Sequence, residues 1–443
     1  MASTTLPVRL DRTLPGSLGV QLSGQVRELV VAGTLARGDR LPSSRALAAD
    51  LAVSRSVTEQ AYEQLVAEGW LETRHGSGTY VASGGATATP VPRRPGGVAT
   101  ADLVRLDAGT PWIDPRHAAG WRRAWRDVST ARPPRGYDDP RGLPGLRAAL
   151  ADRIARTRGL QVDPDEVVVT AGTTDGLRHV LGALRPGPVG LEDPGYRAAV
   201  ETVLGLGREV RDLPATGPVD DLRGLVAAYV TPAHQHPLGR VLPAADRLTL
   251  LAAARTADAM VVEDDYDSEF RYDVAPVPAL ATLDRSRVAY LGTAAKSVAP
   301  SLRLGWLVAP PDLLERVNAR RLVTHEGAAW PVQRAFLSLL RDGYVDKVVR
   351  TARRVYADRA PRVAAALSPY AELAGPLAGM YSTWLLPQAD AVRARDTARR
   401  AGYEVNLLSD YCRSASLTGL VVGFGGVTDA ELDAALAALT SAL

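Results

Sequence analysis

Lys296 is one of only two lysines in this chain of 443 residues, and the other is Lys347. The chain holds 52 lysines and arginines, so almost all of its positive charge comes from arginine. A lysine can lose its proton and attack an aldehyde to give an imine, whereas an arginine stays charged in proteins. Lys296 follows the strand-like run RVAYLGT at 287–293, so it lies at the end of a predicted strand. A lysine chosen at this position indicates a reaction with a carbonyl group. The ordinary alternative is a buried lysine paired with a carboxylate.

A second group of residues has the types that bind a phosphate. In TAGTTDG at 170–176, Gly172 permits close approach, and Thr173 and Thr174 offer N–H groups and hydroxyls at a helix N-terminus. Thr293 and Arg303 flank Lys296 and add a hydroxyl and a bidentate guanidinium. Taken alone, a Gly-Thr-Thr turn is more often only a helix cap.

A third group fits an aromatic nitrogen heterocycle. Asp264 ends the apolar run 259–265 and is placed to hold the proton on a pyridine nitrogen. Tyr266 would hydrogen-bond a ring oxygen, and Tyr196 would stack on the ring face. Aldehyde, phosphate, pyridine nitrogen and 3′-oxygen together make pyridoxal 5′-phosphate (PLP), which is the predicted cofactor. The alternative for Asp264 is a solvated loop acid.

These residues follow apolar strands that alternate with helical stretches. Alternation of this kind predicts an α/β domain with a largely parallel sheet, whose ligands bind at the carboxyl ends of the strands. Helices are expected from about 174, from about 196 and over 243–256. The strand-like runs are EVVVTAG (166–172), PVGLEDP (188–194), AAYVTP (227–232), AMVVEDD (259–265) and RVAYLGT (287–293).

A Gly- and Pro-rich stretch, GGATATPVPRRPGG at 84–97, divides the chain and indicates an exposed linker. The predicted domains are therefore 1–82 and 105–443, joined by a linker at 83–104. In the first domain the order is helix (17–35), short helix (41–53), longer helix (54–69) and hairpin (70–82). This order is typical of a winged helix-turn-helix.

In that geometry the start of the third helix would enter the major groove of double-stranded DNA, and the hairpin would approach the backbone or the minor groove. A capping box of Ser56 with Glu59 is predicted there, with Ser54 as a rival cap. Residues 1–82 hold equal numbers of acidic and basic residues, so a protein-interaction module is the alternative. The predicted DNA-contacting residues are Ser44, Arg45, Ser54, Arg55, Ser56, Arg74, Gly76 and Gly78.

Composition excludes several other classes of protein. The single cysteine, Cys412, cannot form an intramolecular disulfide and fits a reducing cytoplasm. Cysteine and histidine do not cluster at zinc spacing, so no metal is expected. No apolar run is long enough to span a membrane, and no signal-peptide core follows the N-terminus.

Several sequence blocks resemble known families. Residues 38–82, including LPSSRALA, AYEQLVAEG and RHGSGTYV, resemble the DNA-binding domain of GntR-type bacterial regulators. Residues 105–443 resemble fold-type I aminotransferases through blocks such as VVVTAGTTDGL, EDPGY and LGTAAKSVAPSLRLG. The forms TPAHQHPLG and EDDYDSEFRY are similar to those of MocR-type regulators, which fuse these two parts.

The resemblance implies roles for particular residues. Lys296 would bond the PLP aldehyde, Asp264 would pair with the ring nitrogen and Tyr266 would reach the 3′-oxygen, with His234 and Gln235 in the block near that oxygen. Tyr137 matches a tyrosine that approaches the phosphate from a partner subunit. The resemblance also implies a homodimer that binds operator DNA.

Two departures from the family pattern bear on function. The block GTAAK replaces a common GTFSK, so Ala295 lacks a hydroxyl that would contact the phosphate. Aminotransferases usually carry an arginine for the substrate carboxylate in the strand at 419–426, where this chain has only apolar side chains at 420–422. Arg197 or Arg413 would have to substitute. We therefore expect productive transamination to be impaired or absent, and we expect a sensor of PLP that resembles the PdxR group.

Three alternatives remain open from the sequence. The first is an active aminotransferase with an accessory DNA-binding domain. The second is a MocR-type sensor of an amino acid, and the third is a constitutive DNA-binding scaffold with an empty site.

Overall fold

The computed structural model describes residues 6–13, 16–74, 78–82, 103–113, 115–137, 139–273, 275 and 277–443. The chain divides into two compact units, residues 1–99 and 100–443, and each is considered separately. Most of the predicted linker lies outside the described residues, and so does Gly76, which was predicted to contact DNA from the hairpin. Among the helices of the described ranges, none is long and apolar enough to cross a membrane.

The smaller unit has the predicted order of helices and hairpin. Ser43 caps the second helix, since its Oγ accepts a hydrogen bond from the Ala46 amide at 3.2 Å. Leu22, Leu47 and Leu65, one from each helix, are almost completely buried in a common core. The elements are α1 (Leu18–Val31), α2 (Ser44–Asp50), α3 (Arg55–Ala67), β1 (Leu71–Arg74) and β2 (Gly78–Val81).

The predicted capping box at the start of α3 is wrong. Ser54 occupies the N-cap position, and Ser56 lies inside the helix. Glu59 does not return to the N-cap backbone because its carboxylate pairs with the Arg55 guanidinium at 2.8 Å. An arginine one turn before a glutamate offers it a charged partner on the helix surface, which competes with the capping contact.

The larger unit contains two sheets and a set of helices. Its elements are β3 (Val104–Leu106), α4 (Ala118–Thr130), α5 (Pro144–Arg158), β4 (Val167–Thr170), α6 (Thr173–Ala183), β5 (Val189–Asp193), α7 (Arg197–Gly205), β6 (Val210–Pro214), β7 (Ala227–Val230), α8 (Ala244–Ala257), β8 (Met260–Asp265), β9 (Val288–Thr293), β10 (Gly305–Val308), α9 (Pro311–Thr324), α10 (Trp330–Arg341), α11 (Tyr344–Leu367), β11 (Glu372–Leu373), β12 (Tyr381–Leu385), α12 (Gln388–Arg400), β13 (Tyr403–Leu407), β14 (Gly419–Gly423) and α13 (Asp429–Thr440).

The large sheet has seven strands in the order β4-β10-β9-β8-β7-β5-β6. Strands β6, β5, β7, β8 and β9 run parallel, whereas β10 is antiparallel to both of its neighbours. The predicted α/β class with a largely parallel sheet is confirmed, although β6 and β10 were not among the predicted strands. A second sheet, in the order β11-β12-β14-β13-β3, forms a separate layer.

The sheet order brings the chemically notable strand ends to one edge. Strands β4, β8 and β9 end there, and β10 begins there. Gly305, the first residue of β10, lies so close to the turn before α6 that a Cβ would be 2.8 Å from the Gly172 Cα and 2.7 Å from the Gly292 carbonyl oxygen. Only a residue without a side chain fits there, so Gly305 fixes the spacing between three strand ends.

We expect Gly305→Ala to lower the free energy of unfolding by about 1–3 kcal/mol, because added volume in a close-packed place forces the backbone to move. Urea denaturation measures this change. Gly205→Ala at the end of α7 is the control, because a Cβ there meets nothing within 4 Å. The control should stay within about 0.5 kcal/mol of the unsubstituted protein. Equal effects of the two substitutions would contradict the packing argument.

Candidate cofactor site

A cavity of about 210 Å³ lies at the carboxyl edge of the large sheet. It contains Lys296 and most of the residues that the sequence suggested for the aldehyde, the phosphate and the ring. The lining residues are Ala108, Gly109, Gly172, Thr173, Thr174, Tyr196, Tyr229, Thr231, His236, Asp264, Tyr266, Thr293, Ala295, Lys296, Pro300 and Arg303.

Lys296 is held at the floor of this cavity by a backbone contact. Its Nζ donates a hydrogen bond to the Gly109 carbonyl oxygen at 2.5 Å. Burial lowers the pKa of Lys296, and the carboxylates of Asp107, Asp267 and Asp264 oppose that shift. Because the neutral amine is the form that attacks a carbonyl carbon, a lowered pKa favours the chemistry predicted for this position.

Asp264, at the end of β8, has one satisfied and one unsatisfied oxygen. Oδ2 accepts a hydrogen bond from the Tyr229 hydroxyl at 2.5 Å, whereas Oδ1 is buried without a hydrogen-bond partner. Burial raises the pKa of Asp264 to about 7; the hydroxyls of Tyr229 and Thr173 oppose this rise, but only the Tyr229 contact has hydrogen-bond geometry. A buried acceptor without a donor is costly, so Oδ1 fits a ligand that brings an N–H group.

Tyr266 lines the cavity, and His234 lies behind it. The Tyr266 hydroxyl donates to the His234 carbonyl oxygen at 2.9 Å and is 2.8 Å from the Tyr381 hydroxyl. The His234 ring is buried, with Nδ1 2.7 Å from the Asp267 carboxylate. His234 therefore positions Tyr266 and does not itself line the cavity.

Gln235 also lies outside the cavity lining. Its amide nitrogen donates to the carbonyl oxygens of Pro194 at 2.9 Å and His236 at 2.8 Å, so it ties its own loop to the loop after β5. His236 lines the cavity instead. Burial, with a contribution from Lys296, lowers the pKa of His236 to about 3, which keeps this imidazole neutral.

The residues predicted for the phosphate come together at the start of α6. Gly172 has a φ of 113°, which favours glycine, and Thr173 and Thr174 begin the helix. A Cβ on Gly172 would lie 3.7–3.8 Å from the Arg303 guanidinium, so the turn and the guanidinium face each other. Across the described part of the chain, Arg303 makes no ion pair or side-chain hydrogen bond. The arrangement of a free guanidinium at a helix N-terminus suits an anion.

Thr293 and Tyr196 line the same cavity with different partners. The Thr293 hydroxyl donates to the Leu304 carbonyl oxygen at 3.2 Å and accepts from the Ala295 amide at 3.0 Å, so local contacts already use it. The Tyr196 ring lies edge-on to His236, with centroids 5.6 Å apart. Stacking of Tyr196 on a cofactor ring stays a prediction.

Tyr137 is not part of this cavity. Its side chain is 82% exposed and stacks on His325, with ring centroids 3.7 Å apart. Both residues line a different cavity, of about 400 Å³, between the 134–142 loop and the segment after α9. A contact of Tyr137 with the phosphate of a partner subunit stays a prediction.

Sequence reasoning missed several residues of the cavity. Tyr229 lies within β7, Thr231 and His236 lie in the loop after it, and Gly109 comes from the segment after β3. Tyr229 had one usable signal, a tyrosine within the otherwise apolar run AAYVTP. Its contact with Asp264 depends on β7 lying beside β8, which the chain order alone does not reveal.

The strand that would carry a carboxylate-binding arginine is apolar. Leu420, Val421 and Val422 in β14 are fully buried. Arg413 does not replace the missing cation, because its guanidinium donates to the Asp212 carboxylate at 2.6 Å and to the carbonyl oxygens of β5. Arg197 is exposed at the start of α7.

In the smaller unit, the residues predicted to meet DNA lie at the start of α2 and α3. Arg45 is exposed and makes no ion pair among the described residues, whereas the Arg55 guanidinium pairs with Glu59. The hydroxyls of Ser54 and Ser56 are 2.8 Å apart. The Ser44 carbonyl oxygen accepts from the Thr58 hydroxyl at 2.8 Å, which fixes α2 against α3.

In the hairpin, Arg74 pairs with the Glu72 carboxylate at 2.7 Å, and its guanidinium lies 4.6 Å from the Tyr80 ring centroid. Gly78 has a φ of 118°. No group of histidine, cysteine and acidic residues in the part of the chain that the structure describes could hold a metal ion.

Comparisons with known families agree with this division of the chain. Residues 18–81 match the gntR family of bacterial regulatory proteins, and residues 101–439 match class I and II aminotransferases. The HTH-type pyridoxine biosynthesis transcriptional regulator PdxR of Corynebacterium glutamicum is 34% identical over 99% of this chain and 98% of its own length. The chain belongs to the MocR family of transcription regulators. The family predicted from the sequence blocks is thus confirmed.

This MocR-type chain is also similar to a second regulator and to solved structures of aminotransferases. The probable rhizopine catabolism regulatory protein MocR of Rhizobium meliloti is 35% identical over 79% of this chain and 77% of its own length. An archaeal alanine:glyoxylate aminotransferase superposes with a TM-score of 0.69 at 24% identity, over 76% of this chain and 90% of its own. A Thermus thermophilus aspartate aminotransferase gives a TM-score of 0.67 at 24% identity, over 77% and 92%. These structures show that the larger unit has the aminotransferase fold.

The buried carboxyl of Asp264 generates a prediction about stability. Its folded-state pKa of about 7 lies above its ordinary value of 3.8, so the folded protein binds this proton more tightly than the unfolded chain does. The cofactor-free protein should therefore lose stability as the pH rises from about 4 to about 7. Asp264→Asn removes the charge, so the variant should be more stable than the unsubstituted protein at pH 8, by about 1–3 kcal/mol.

Thermal unfolding at pH 5 and pH 8 measures this difference. At pH 5 the folded Asp264 is still protonated while the unfolded one is already largely ionised, so only part of the loss of stability has occurred and the advantage of the variant should be smaller than at pH 8. Burial also raises the pKa of Glu263 to about 7, and this group titrates in both proteins and cancels in the comparison. The pKa of Glu192 is raised to about 7 by burial and, to a smaller extent, by the Asp264 charge, so the variant also eases the ionisation of Glu192 and its advantage at pH 8 includes that effect. If the stability advantage of Asp264→Asn over the unsubstituted protein were smaller at pH 8 than at pH 5, the raised pKa of Asp264 would be contradicted.

Proposed function

We propose that this regulator binds PLP in the Lys296 cavity and changes its affinity for operator DNA in response. The observation that carries the proposal is the buried, unpartnered Oδ1 of Asp264 in the same cavity as Lys296 and Arg303. An acid without a donor, an amine with a lowered pKa and a guanidinium without a partner match the ring nitrogen, the aldehyde and the phosphate of PLP. The name of the PdxR relative, a regulator of pyridoxine biosynthesis, supports the same ligand.

Each residue would have a separate task. Asp264 would accept a hydrogen bond from the N–H of the protonated ring nitrogen. The amides at the start of α6, together with Arg303, would bind the phosphate. Lys296 would supply the amine that bonds the aldehyde, and the carbonyl oxygen of Gly109 holds that amine in place beforehand. When bound, the cofactor supplies an aldehyde open to amine attack and a ring that withdraws electrons.

The response requires a difference in affinity between two arrangements of the protein. A ligand shifts a conformational equilibrium only by the difference in its binding free energy for the two states. We propose a homodimer as the unit that shifts. Support comes from Tyr137, which is exposed and does not line the Lys296 cavity of its own chain, and from Leu322 and Val323 on α9, which are 62% and 77% exposed. Apolar side chains left exposed together mark contact surfaces.

Covalent binding at Lys296 can be tested directly. Lys296→Arg keeps the positive charge but cannot bond an aldehyde. We expect borohydride reduction of the PLP-treated protein to label the peptide containing Lys296, and the variant to lose at least about tenfold in PLP affinity, about 1.4 kcal/mol. The variant should also bind operator DNA equally with and without PLP. Lys347→Arg, at the exposed second lysine on α11, should behave like the unsubstituted protein.

Two outcomes would overturn the proposal. The first is a Lys296→Arg variant that still responds to PLP as the unsubstituted protein does. The second is a DNA affinity that ignores PLP alone but changes with an amino acid, which would favour an amino acid sensor of the MocR type.

An active aminotransferase is the second candidate, and the fold of the larger unit favours it. The apolar side chains of β14 argue against it, because burying a substrate carboxylate without a cation costs several kcal/mol. We expect PLP-loaded protein, given L-amino acids and 2-oxo acids, to form less than one equivalent of product per site. Sustained formation of 2-oxo acid that Lys296→Arg abolishes would establish the enzyme instead.

A further inference from the structure

The hairpin of the smaller unit has a third strand that precedes α2. The Gly38 amide donates to the Val81 carbonyl oxygen at 3.1 Å, and the Val81 amide donates to the Asp39 carbonyl oxygen at 2.9 Å. The Leu41 amide donates to the Thr79 carbonyl oxygen at 2.9 Å. Residues 38–41 thus lie antiparallel to β2, with Arg40 opposite Tyr80. We name this three-stranded element, residues 38–41 with β1 and β2, the wing.

The side chain of Arg40 lies against the backbone of Gly78 at the start of β2. A Cβ on Gly78 would be 3.1 Å from Arg40 Nε and 3.5 Å from Arg40 Nη2. Gly78 also has a φ of 118°, which disfavours any other residue. The position of the guanidinium therefore depends on a bare backbone at residue 78.

Arg40 differs from the other arginine of the wing in its partners. Arg74 is held by the Glu72 carboxylate and lies on the Tyr80 ring. Arg40 is exposed and, within the described residues, has neither an ion pair nor a side-chain hydrogen bond. A guanidinium that no carboxylate neutralises keeps its full attraction for an anion.

We propose that Arg40 binds a phosphate of the DNA backbone from the wing, beside Gly78. This inference rests on the proposed binding of operator DNA by the smaller unit. A phosphate contact positions the protein without reading sequence, so Arg40 would contribute equally on any duplex. Arg74, which was the predicted wing contact, would mainly hold the hairpin together through Glu72 and Tyr80.

The test measures DNA affinity of the full chain at several salt concentrations. The probes are a duplex from upstream of the protein's own gene and a random-sequence duplex of the same length. We expect Arg40→Ala to weaken binding to both by about tenfold and to lower the slope of log K against log salt by about 1 for each Arg40 that contacts DNA, which is about 2 for the proposed homodimer. Arg40→Lys should keep the slope and lose part of the affinity, since it retains charge without the planar fork.

The control for charge is Arg27→Ala. Arg27 pairs with Glu68, which follows the C-terminal end of α3, so this variant also removes one arginine from the smaller unit. It should leave the salt slope unchanged, and circular dichroism should show all variants folded.

The outcomes separate the two levels of the proposal. If the unsubstituted protein binds neither duplex, the proposed function fails. If it binds and Arg40→Ala matches it in affinity and salt slope, Arg40 is only a structural part of the wing and the inference is wrong. A loss confined to the upstream duplex would also overturn it, because that result indicates a base contact.

Discussion

The buried carboxyl group of Asp264 determines which kind of ligand the Lys296 cavity can bind. Burial raises the pKa of Asp264 to about 7 and lowers the pKa of Lys296, so both groups are pushed towards their neutral forms. Asp264 is buried at the end of a central strand and the Lys296 amine is held by the Gly109 carbonyl oxygen, so both groups stay beside the cavity in the free protein. A ligand with a protonated ring nitrogen and an aldehyde satisfies both at once. The cost of keeping these groups buried in the free protein thus becomes part of the affinity for such a ligand.

The fold enforces this arrangement through strand order. Strand β7 lies beside β8, which brings the Tyr229 hydroxyl onto Oδ2 of Asp264 and leaves Oδ1 without a hydrogen-bond partner. Strand β9 leads into Lys296, and the return strand β10 follows Arg303. The close approach of Gly305 to the turn at Gly172 then sets the helix N-terminus opposite that guanidinium. The helix N-terminus and the cation are thus positioned by a close approach of backbone segments, which explains why glycines occupy residues 172 and 305.

The sequence predicted the strand ends well because apolar runs mark strands, and parallel strands end at one edge. This reasoning brought Asp264 and Lys296 together without any knowledge of strand order. It could not find Tyr229, whose role depends on which strand lies beside β8. Gln235 was expected near the 3′-oxygen from the family resemblance and not from this reasoning, and in the structure its amide donates to carbonyl oxygens of its own and a neighbouring loop. Contacts across a sheet and within irregular loops depend on three-dimensional neighbours, which spacing along the chain does not encode.

The absence of a cation in β14 changes what the same cavity can do. A transaminase must bind the reacting amino acid more tightly as it approaches the transition state, and a carboxylate clamp fixes the geometry in which that happens. A sensor needs only that its ligand bind one arrangement of the protein more tightly than another. Val421 is fully buried and offers no cation, so under the proposed function the larger unit would keep the second ability without the first. The groups that would hold the ring, phosphate and aldehyde lie on other strands, so the lack of a substrate carboxylate site would leave the proposed binding of PLP unchanged.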